Sequence, residues 1–155
     1  MRLYFLRHGI ADWPDWDPAR DHERPLTKEG LKKMKEQARA LAQLDLKIDA
    51  ILSSPYTRAY QTADIVAARL GLDVKTEPLL APGFNSDKLA EILRSVADDQ
   101  AVLLVGHEPN FSMVIAELIG GGRVQLKKGA LVRVDVNHEL QGELVWLLPP
   151  KVLAR

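Results

Sequence analysis

The segment Leu3-Tyr4-Phe5-Leu6-Arg7-His8-Gly9 contains a short apolar run that ends in two basic residues and a glycine. Such a run predicts a buried β-strand followed by a tight loop. The same pattern recurs twice further along the chain. Ile48 to Leu52 is an apolar run before Ser53-Ser54-Pro55, and Ala101 to Val105 is a fully apolar run before Gly106-His107. These segments predict three buried strands that each lead into a polar loop.

Helical patterns lie between these strands. Thr27 is predicted to cap a helix over residues 28 to 44, because apolar residues recur there at helical spacing. Ser54 and Pro55 match an N-cap serine followed by a proline at the first helical position, which predicts a helix over 55 to 70. Two further helices are predicted over 86 to 97 and from Pro109 to about Ile119. Residues 10 to 26 contain three prolines and are predicted to form a long loop, ordered or partly mobile.

The remaining strands complete the predicted sheet. Val74 to Thr76 predicts a short strand, and Ala130 to Val136 and Glu143 to Leu148 predict an antiparallel pair joined by turn residues 137 to 142. Alternating strands and helices are typical of a mainly parallel sheet with helices on both faces. We therefore predict an α/β fold, a three-layer α/β/α sandwich with a mainly parallel central sheet and antiparallel edge strands. Residues 1–155 are predicted to form a single domain, because no repeat or linker interrupts them.

Composition limits the functions that are open to the protein. The 21 Lys and Arg residues balance the 21 Asp and Glu residues, so the overall charge favours neither nucleic acid nor an anionic membrane as a partner. No apolar stretch approaches the roughly 20 residues of a membrane span. The sequence contains no cysteine, which excludes a thiol nucleophile and a disulfide framework. The apolar stretch at the start of the sequence is too short for a signal peptide, and charged residues occur too early in it. We therefore expect a cytoplasmic location.

Arginines and histidines follow each of the three apolar strands. Arg7 and His8 end the first strand, Arg58 follows the second, and His107 follows the strand at 101 to 105. Ligands of open α/β sheets bind outside the carboxyl ends of the strands, so we expect these four side chains at one rim of the sheet. Two helix N-termini are expected at the same rim. Arginines and helix N-termini both favour a phosphate-like anion.

An imidazole beside two guanidinium groups is suited to in-line attack on phosphorus. The arginines neutralise the non-bridging oxygens, and their charge lowers the pKa of the attacking imidazole. His8 is therefore a candidate nucleophile that is mostly neutral at pH 7. Arg58 supports this interpretation, because a cation in the first turn of a helix opposes the helix dipole unless an anion joins it. The structural alternatives are a surface arginine that reaches an acidic neighbour and a polar histidine at a strand end.

Taken together, the three motifs resemble those of the histidine phosphatase, or phosphoglycerate mutase-like, superfamily. Arg7-His8-Gly9 resembles the first motif, Ser53-Ser54-Pro55 with Arg58-Ala59 and Gln61-Thr62 the second, and Gly106-His107 the third. The resemblance covers nearly the whole chain. It implies that His8 forms a phosphohistidine intermediate and that Arg7 and Arg58 hold the phosphoryl group. It also implies that His107 stabilises transition-state charge by a hydrogen bond.

The short length and two local motifs resemble the SixA-type branch of this superfamily. These motifs are Arg24-Pro25-Leu26-Thr27 and Gly106-His107-Glu108-Pro109. The first also has a structural account as a turn proline, a core leucine and a helix N-cap. Members of the branch dephosphorylate histidine on signalling or phosphocarrier proteins. The resemblance therefore implies a phosphohistidine-containing protein as the substrate.

The predicted substrate depends on whether a proton donor is present. Phosphomonoesterases and mutases of the superfamily usually supply a carboxylic acid from the segment after the middle of the chain. Here that segment, residues 79 to 87, offers only Asp87, which also suits a helix N-terminus. Because an imidazole leaving group needs less acid assistance than an alkoxide, the sequence favours phosphohistidine. Asp87, Glu91 and Glu108 keep open the alternative of a phosphomonoesterase for small-molecule phosphates, and a non-catalytic phosphate-binding module is the third hypothesis.

Several further residues have both structural and functional interpretations. Asn110 could contact the phosphate, but we favour a bond to nearby backbone. Trp13, Trp16 and Phe84 could form a rim that meets a protein substrate, but ordinary packing is the favoured interpretation.

Metal and cofactor binding are not expected. His22 and His138 lie in predicted loops or turns and are expected to face solvent. Asp15 and Asp17 form an Asp-x-Asp pattern, but the glycine and the glutamate of a calcium loop are not at the required spacing.

Overall fold

The structure, a computed structural model, describes residues 1–153. Its regular elements are, in chain order, β1 (Arg2–Arg7), α1 (Lys28–Gln43), β2 (Ala50–Ser53), α2 (Thr57–Leu70), β3 (Val74–Thr76), α3 (Ser86–Leu93), β4 (Ala101–Gly106), α4 (Asn110–Leu118), β5 (Leu131–Val136), β6 (Gly142–Leu148) and α5 (Pro150–Leu153). No helix within the described residues is both long enough and apolar enough to cross a membrane.

The strands form one sheet in the order β3-β2-β4-β1-β5-β6. Strand β4 lies between β1 and β2 and is parallel to both, and β3 is parallel to β2. Strands β5 and β6 are antiparallel and form the opposite edge. The prediction of a mainly parallel sheet with antiparallel edge strands is confirmed.

Side chains of β1 alternate between the two faces of the sheet, as the period of a strand requires. Leu3 and Phe5 belong to an apolar cluster shared with α3 and α4. Tyr4 and Leu6 belong to a second cluster shared with α1, α2 and α5. Helices therefore cover both faces of the sheet, which confirms the three-layer α/β/α prediction.

Two predicted helix boundaries were wrong. The helix after β2 begins at Thr57 rather than at residue 55, and Ser54 is not its N-cap. Instead, the hydroxyl of Ser54 accepts the backbone N–H of Tyr56 in the turn before the helix, at 3.2 Å. Helix α3 ends at Leu93 rather than at residue 97, because the chain then tightens into turns with bonds between residues three apart, such as Val96 N–H to Leu93 O.

Residues 10 to 26 (the 10–26 segment) contain a short helix, although the three prolines had predicted only a loop. A 3-10 helix with a kink at Arg20 spans Pro18–Glu23, with proline at its start. The side chain of Asp17 caps it by accepting the backbone N–H of Ala19 at 3.0 Å. The signal Asp17-Pro18 is present in the sequence and could have identified this turn.

Candidate active site

The parallel strands bring the polar loops of the three motifs to one rim of the sheet. In the register of β1 and β4, Arg7 lies opposite Gly106, and in that of β2 and β4, Ser53 lies opposite Val105. His8 and His107 therefore leave the sheet at the same level, one residue beyond the level of Ser54. The backbone N–H of His8 donates to Gly106 O at 3.1 Å, which joins the first and third motifs directly.

The four residues that the sequence indicated lie together at this rim. Arg58, in the first turn of α2, places its Nε 3.4 Å from Nε2 of His8. The rings of His8 and His107 have centroids 5.3 Å apart. The charges of both Arg7 and Arg58 act on His8. His8, Arg58 and His107 are all buried.

The tautomer of His8 is determined by its backbone neighbour. Its Nδ1 lies 2.7 Å from the carbonyl oxygen of Gly9, which can only accept, so Nδ1 carries the proton. Nε2 therefore presents a lone pair. The loop leaves no room for a larger residue at position 9, where a Cβ would lie 2.7 Å from Cγ of Met34. The N–H of Gly9 donates to the hydroxyl of Thr62 at 3.1 Å, which ties this loop to α2.

The imidazole of His8 is neutral near neutral pH. Burial, together with the charges of Arg58, Arg7 and Arg24, lowers its pKa to about 4 against the opposing bond to Gly9. The arginine effect was expected from the sequence, but burial is the larger cause. A lone pair on Nε2 is therefore available at pH 7 without a separate general base.

Asp21 is the site residue that the sequence analysis missed. Its carboxylate Oδ2 lies 3.1 Å from Nη2 of Arg58, and its backbone oxygen accepts Nη1 of the same guanidinium at 2.9 Å. Burial raises the pKa of the Asp21 carboxyl, but Arg58 and Arg24 outweigh this and hold the pKa below its ordinary value. Asp21 is therefore ionised at neutral pH. The structural alternative for Arg58, an acidic neighbour, is thus present in addition to the histidine contact.

Arg7 is anchored on one side only. Its Nη1 donates to Leu126 O at 2.8 Å, whereas its Nε is buried and has no hydrogen-bond partner within residues 1–153. Burial lowers the pKa of the Arg7 guanidinium, although the charges of Glu108 and Asp12 oppose this. A buried donor without a partner is costly. Arg7 is therefore suited to an incoming anion.

His107 contacts the second motif through its Nε2 nitrogen. Nε2 lies 2.7 Å from Oγ of Ser54, and Nδ1 is buried without a partner in the described part of the chain. Burial lowers the pKa of His107 to about 3, and the charges of His8 and Arg58 act in the same direction. The ring is flanked by Tyr56, whose ring centroid is 5.2 Å away. His107 is therefore a neutral group held in one orientation.

The carboxylates considered as proton donors lie in different places. Asp87 and Glu91 are exposed on α3. Both oxygens of Glu108 bond to Ser112, one to its backbone N–H at 2.8 Å and one to its hydroxyl at 2.7 Å. Glu108 therefore stabilises the start of α4, and none of the three carboxylates has a hydrogen bond to the histidines or arginines of the rim within residues 1–153.

The remaining candidates divide between core and surface. Asn110 accepts the backbone N–H of Gly83 at 3.4 Å, as favoured from the sequence. Phe84 is buried against Phe111, with ring centroids 5.7 Å apart, so it does not belong to a rim. Trp13 is 41% exposed, and it lines a cavity of about 460 Å³ together with Trp16, Asp21 and Arg24.

The two histidines outside the motifs face solvent, as expected. The side chain of His138 is 79% exposed and lies near Asp98. The side chain of His22 is 59% exposed, but its ring centroid lies 6.3 Å from that of Tyr56. His22 is therefore closer to the rim than its sequence context indicated. No group of three or more potential ligands among residues 1–153 could hold a metal ion.

Comparison with known proteins finds a family match and similar sequences. The family model described as histidine phosphatase superfamily (branch 1) matches residues 3–81. An uncharacterised protein of Picosynechococcus sp. is 39% identical, with 99% of each chain covered. The phosphohistidine phosphatase SixA of Escherichia coli is 28% identical, covering 97% of this chain and 94% of that protein.

Solved structures show the same architecture. The protein histidine phosphatase SixA in complex with tungstate superposes with a TM-score of 0.87 and 28% identity, over 99% of each chain. A mycobacterial glucosyl-3-phosphoglycerate phosphatase shares the fold with a TM-score of 0.73 and 18% identity, covering 92% of this chain and 96% of that one. The family match and the similarity to SixA support an enzyme of the phosphatase class. The chain belongs to the histidine phosphatase superfamily.

Proposed function

We propose that the protein is a metal-independent protein-phosphohistidine phosphatase that works through a phosphorylated His8. The nucleophile is the lone pair on Nε2, which the bond from Nδ1 to Gly9 O keeps free of the proton. Arg7 and Arg58 bind the non-bridging oxygens, and His107 donates a hydrogen bond to the developing charge. Each of these roles is part of the proposal, and the family membership and the clustering of the four residues support it.

The reaction has two displacements at phosphorus. In the first, His8 Nε2 attacks phosphorus, and the bond to the substrate imidazole breaks with its electron pair going to that imidazole nitrogen. A substrate ring already protonated on its other nitrogen then leaves as neutral imidazole. In the second, water attacks phosphorus, the bond to Nε2 breaks, and inorganic phosphate is released while His8 recovers its lone pair.

One observation carries the choice of phosphohistidine over an alkyl phosphate. Asp21, the carboxylate paired with Arg58, has a lowered pKa, so it is a poor proton donor. The carboxylates whose charges act on Arg7, Glu108 and Asp12, are bonded to residues other than the rim histidines and arginines. An alkoxide leaving group needs such a donor, whereas neutral imidazole does not. The similarity to phosphohistidine phosphatases points to the same substrate class.

The proposal includes the partner and the location. The partner is a folded protein that carries phosphohistidine, with no nucleic acid or membrane involved, as the balanced charge of the sequence favours. A cytoplasmic location is proposed because the sequence contains no cysteine, which is common where disulfides are not maintained.

The test compares substrates in the presence of a chelator. Turnover of a phosphohistidine-bearing protein is measured beside a panel of sugar phosphates and an aryl phosphate, for the wild type and for His8→Ala. We expect a strong preference for phosphohistidine, complete loss in His8→Ala and no effect of the chelator. His138→Ala, which removes a histidine at the exposed surface, is the matched control and should keep full activity.

Each other outcome contradicts part of the proposal. Preference for an alkyl phosphate would mean that a carboxylate acts as the proton donor, as in a phosphomonoesterase. Binding of phosphate without turnover of any substrate would indicate a non-catalytic module. Activity in His8→Ala would exclude the intermediate, and inhibition by the chelator that a divalent ion reverses would exclude metal independence.

A further inference from the structure

Ser54 and His107 share a short hydrogen bond at the buried side of the site. The distance from Oγ of Ser54 to Nε2 of His107 is 2.7 Å. Ser54 is fully buried and His107 is 3% exposed, so neither group exchanges this partner for bulk water. The two residues follow the neighbouring parallel strands β2 and β4, which fixes their separation.

The direction of this bond follows from the other partner of the serine. Oγ of Ser54 already accepts the backbone N–H of Tyr56 at 3.2 Å. If Nε2 of His107 carried a proton and donated it, the serine proton would have no acceptor among residues 1–153. A buried hydroxyl proton without an acceptor is unfavourable. In the opposite direction the hydroxyl accepts from Tyr56 and donates to Nε2, so both partners of this bond are satisfied, and the proton of His107 lies on Nδ1, which has no partner among residues 1–153.

A neutral imidazole has a single N–H, so a proton-free Nε2 leaves the proton on Nδ1. The lowered pKa of His107 keeps the ring neutral near pH 7. Nδ1 is the buried nitrogen that has no partner in the described residues, on a ring that neighbours His8. The other tautomer would leave Nδ1 with a lone pair, which repels the oxygens of a phosphoryl group.

We infer that Ser54 is a positioning residue that selects the tautomer of His107, so that Nδ1–H becomes the donor to the phosphoryl oxygen. The inference rests on the proposed function, because the acceptor is the phosphoryl group bound beside His8. It assigns Ser54 a role through His107 rather than through contact with the substrate. The helix-capping role expected from the sequence is thereby replaced by a chemical one.

The tautomer can be observed without any substrate. In protein labelled with ¹⁵N-histidine, long-range ¹H–¹⁵N spectra separate a protonated ring nitrogen from a proton-free one, and His107→Asn identifies the signals of His107. We expect a protonated Nδ1 and a proton-free Nε2 in the wild type. Ser54→Thr, which keeps a hydroxyl, should give the same pattern, and Ser54→Ala should shift protons to Nε2. A protonated Nε2 in the wild type would overturn the inference, even if Ser54→Ala did not fold.

Neighbouring Ser53 supplies a matched control for activity. Its hydroxyl is equally buried but donates to Ser54 O at 2.9 Å and does not contact His107. With phosphohistidine as substrate, we expect Ser54→Ala to lower kcat by roughly 10-fold to 100-fold with little change in KM, because a donor to the developing charge is partly lost. Ser53→Ala should stay within about twofold of the wild type by the same reasoning. Equal losses in both variants would reduce Ser54 to a packing role and overturn the inference.

Inorganic phosphate separates this inference from the proposed function. Added phosphate should move the Nδ1 signal of His107 in the wild type, whether or not the protein turns over phosphohistidine. A phosphate-dependent shift without turnover would contradict the proposed function and leave the role of Ser54 standing. Turnover of phosphohistidine with an Nδ1 signal that phosphate does not move would overturn the role of Ser54 and leave the proposed function standing.

Discussion

The rim of the sheet and the 10–26 segment both contact the guanidinium of Arg58, but they are held in place by different structural means. At the rim, His8, Ser54 and His107 are buried and follow strands whose backbone hydrogen bonds fix their positions. In the 10–26 segment, the side chain of Asp21 is 42% exposed and is held by a short 3-10 helix. Both regions contact Arg58. The comparison indicates that the sheet fixes the reacting groups, whereas a solvent-facing turn supplies the counter-charge.

Removal of a rim cation should have the largest effect. Arg58→Ala or Arg7→Ala is expected to lower kcat/KM for phosphohistidine by roughly two to four orders of magnitude, because a preorganised charge-stabilising group is lost. Steady-state kinetics checks this result. Arg69→Ala, in the exposed last turn of the same helix as Arg58, is the control and should change activity by less than about twofold because it lies away from the rim. A loss of less than tenfold in both rim variants would contradict the role of these arginines.

Low pH should lower the free energy of unfolding through the buried histidine His8. The pKa of His8 is about 4 in the folded protein, against about 6.5 in an unfolded chain. Between these values the unfolded chain binds a proton that the folded state does not, so the free energy of unfolding falls as the pH falls from 6.5 towards 4. Urea unfolding at pH 7.5 and pH 5 should show a pH-dependent loss that is smaller in His8→Ala by about 2 kcal/mol.

The matched control for this acid effect is a buried side chain that does not titrate between pH 5 and pH 7.5. Ser53→Ala removes a buried hydroxyl and should leave the difference between pH 7.5 and pH 5 as it is in the wild type. An unchanged pH dependence in His8→Ala would show that His8 is not held neutral by the fold. That outcome would also remove the physical basis for a nucleophile that is free of its proton at neutral pH.

The smallest effect on activity is expected from Asp21 in the 10–26 segment. Asp21→Asn removes the negative charge beside Arg58 but leaves the bond from Nη1 to the backbone oxygen of residue 21. We expect kcat to fall by less than about tenfold, because Arg58 keeps one of its anchors and its contact with His8. Kinetics with phosphohistidine protein gives the value. Asp15→Asn, in the same segment and away from Arg58, should have no effect.

A large loss of activity in Asp21→Asn would remove the contrast between the rim and the 10–26 segment. A loss in Asp21→Asn as great as that in Arg58→Ala would place the 10–26 segment within the catalytic machinery. Such a loss confined to alkyl phosphates would identify Asp21 as a proton donor despite its lowered pKa, and it would favour the phosphomonoesterase alternative.

Much of the fold could be predicted because its signals are local. Apolar runs and helical spacing identify a strand or helix from a few neighbouring residues, and β1, β4 and α1 were found in this way. Helix boundaries were less accurate. Ser54 has the chemistry of an N-cap, but its hydroxyl bonds to Tyr56 and to a histidine that lies 53 residues away. Sequence spacing contains no information about that competing partner.

The candidate site shows the same division. The four residues at the rim were predicted because each follows a strand, and parallel strands end at one edge. Asp21 was missed because its partner, Arg58, lies 37 residues further along the chain, and an aspartate in a proline-containing loop is an ordinary turn residue. Its position depends on how the 10–26 segment folds back over α2, which no local pattern encodes.

The sequence by itself determined the order of strands and helices, the residues that follow each strand, and the resemblance of those residues to the histidine phosphatase superfamily. These features depend on side-chain periodicity and on chemistry that neighbours in the chain carry. Tertiary structure alone decided the pairing of Arg58 with Asp21, the bond between Ser54 and His107, and the burial that is the largest cause of the lowered pKa of both rim histidines. Those properties arise from groups far apart in the chain, which meet only when the sheet and its covering helices exclude water.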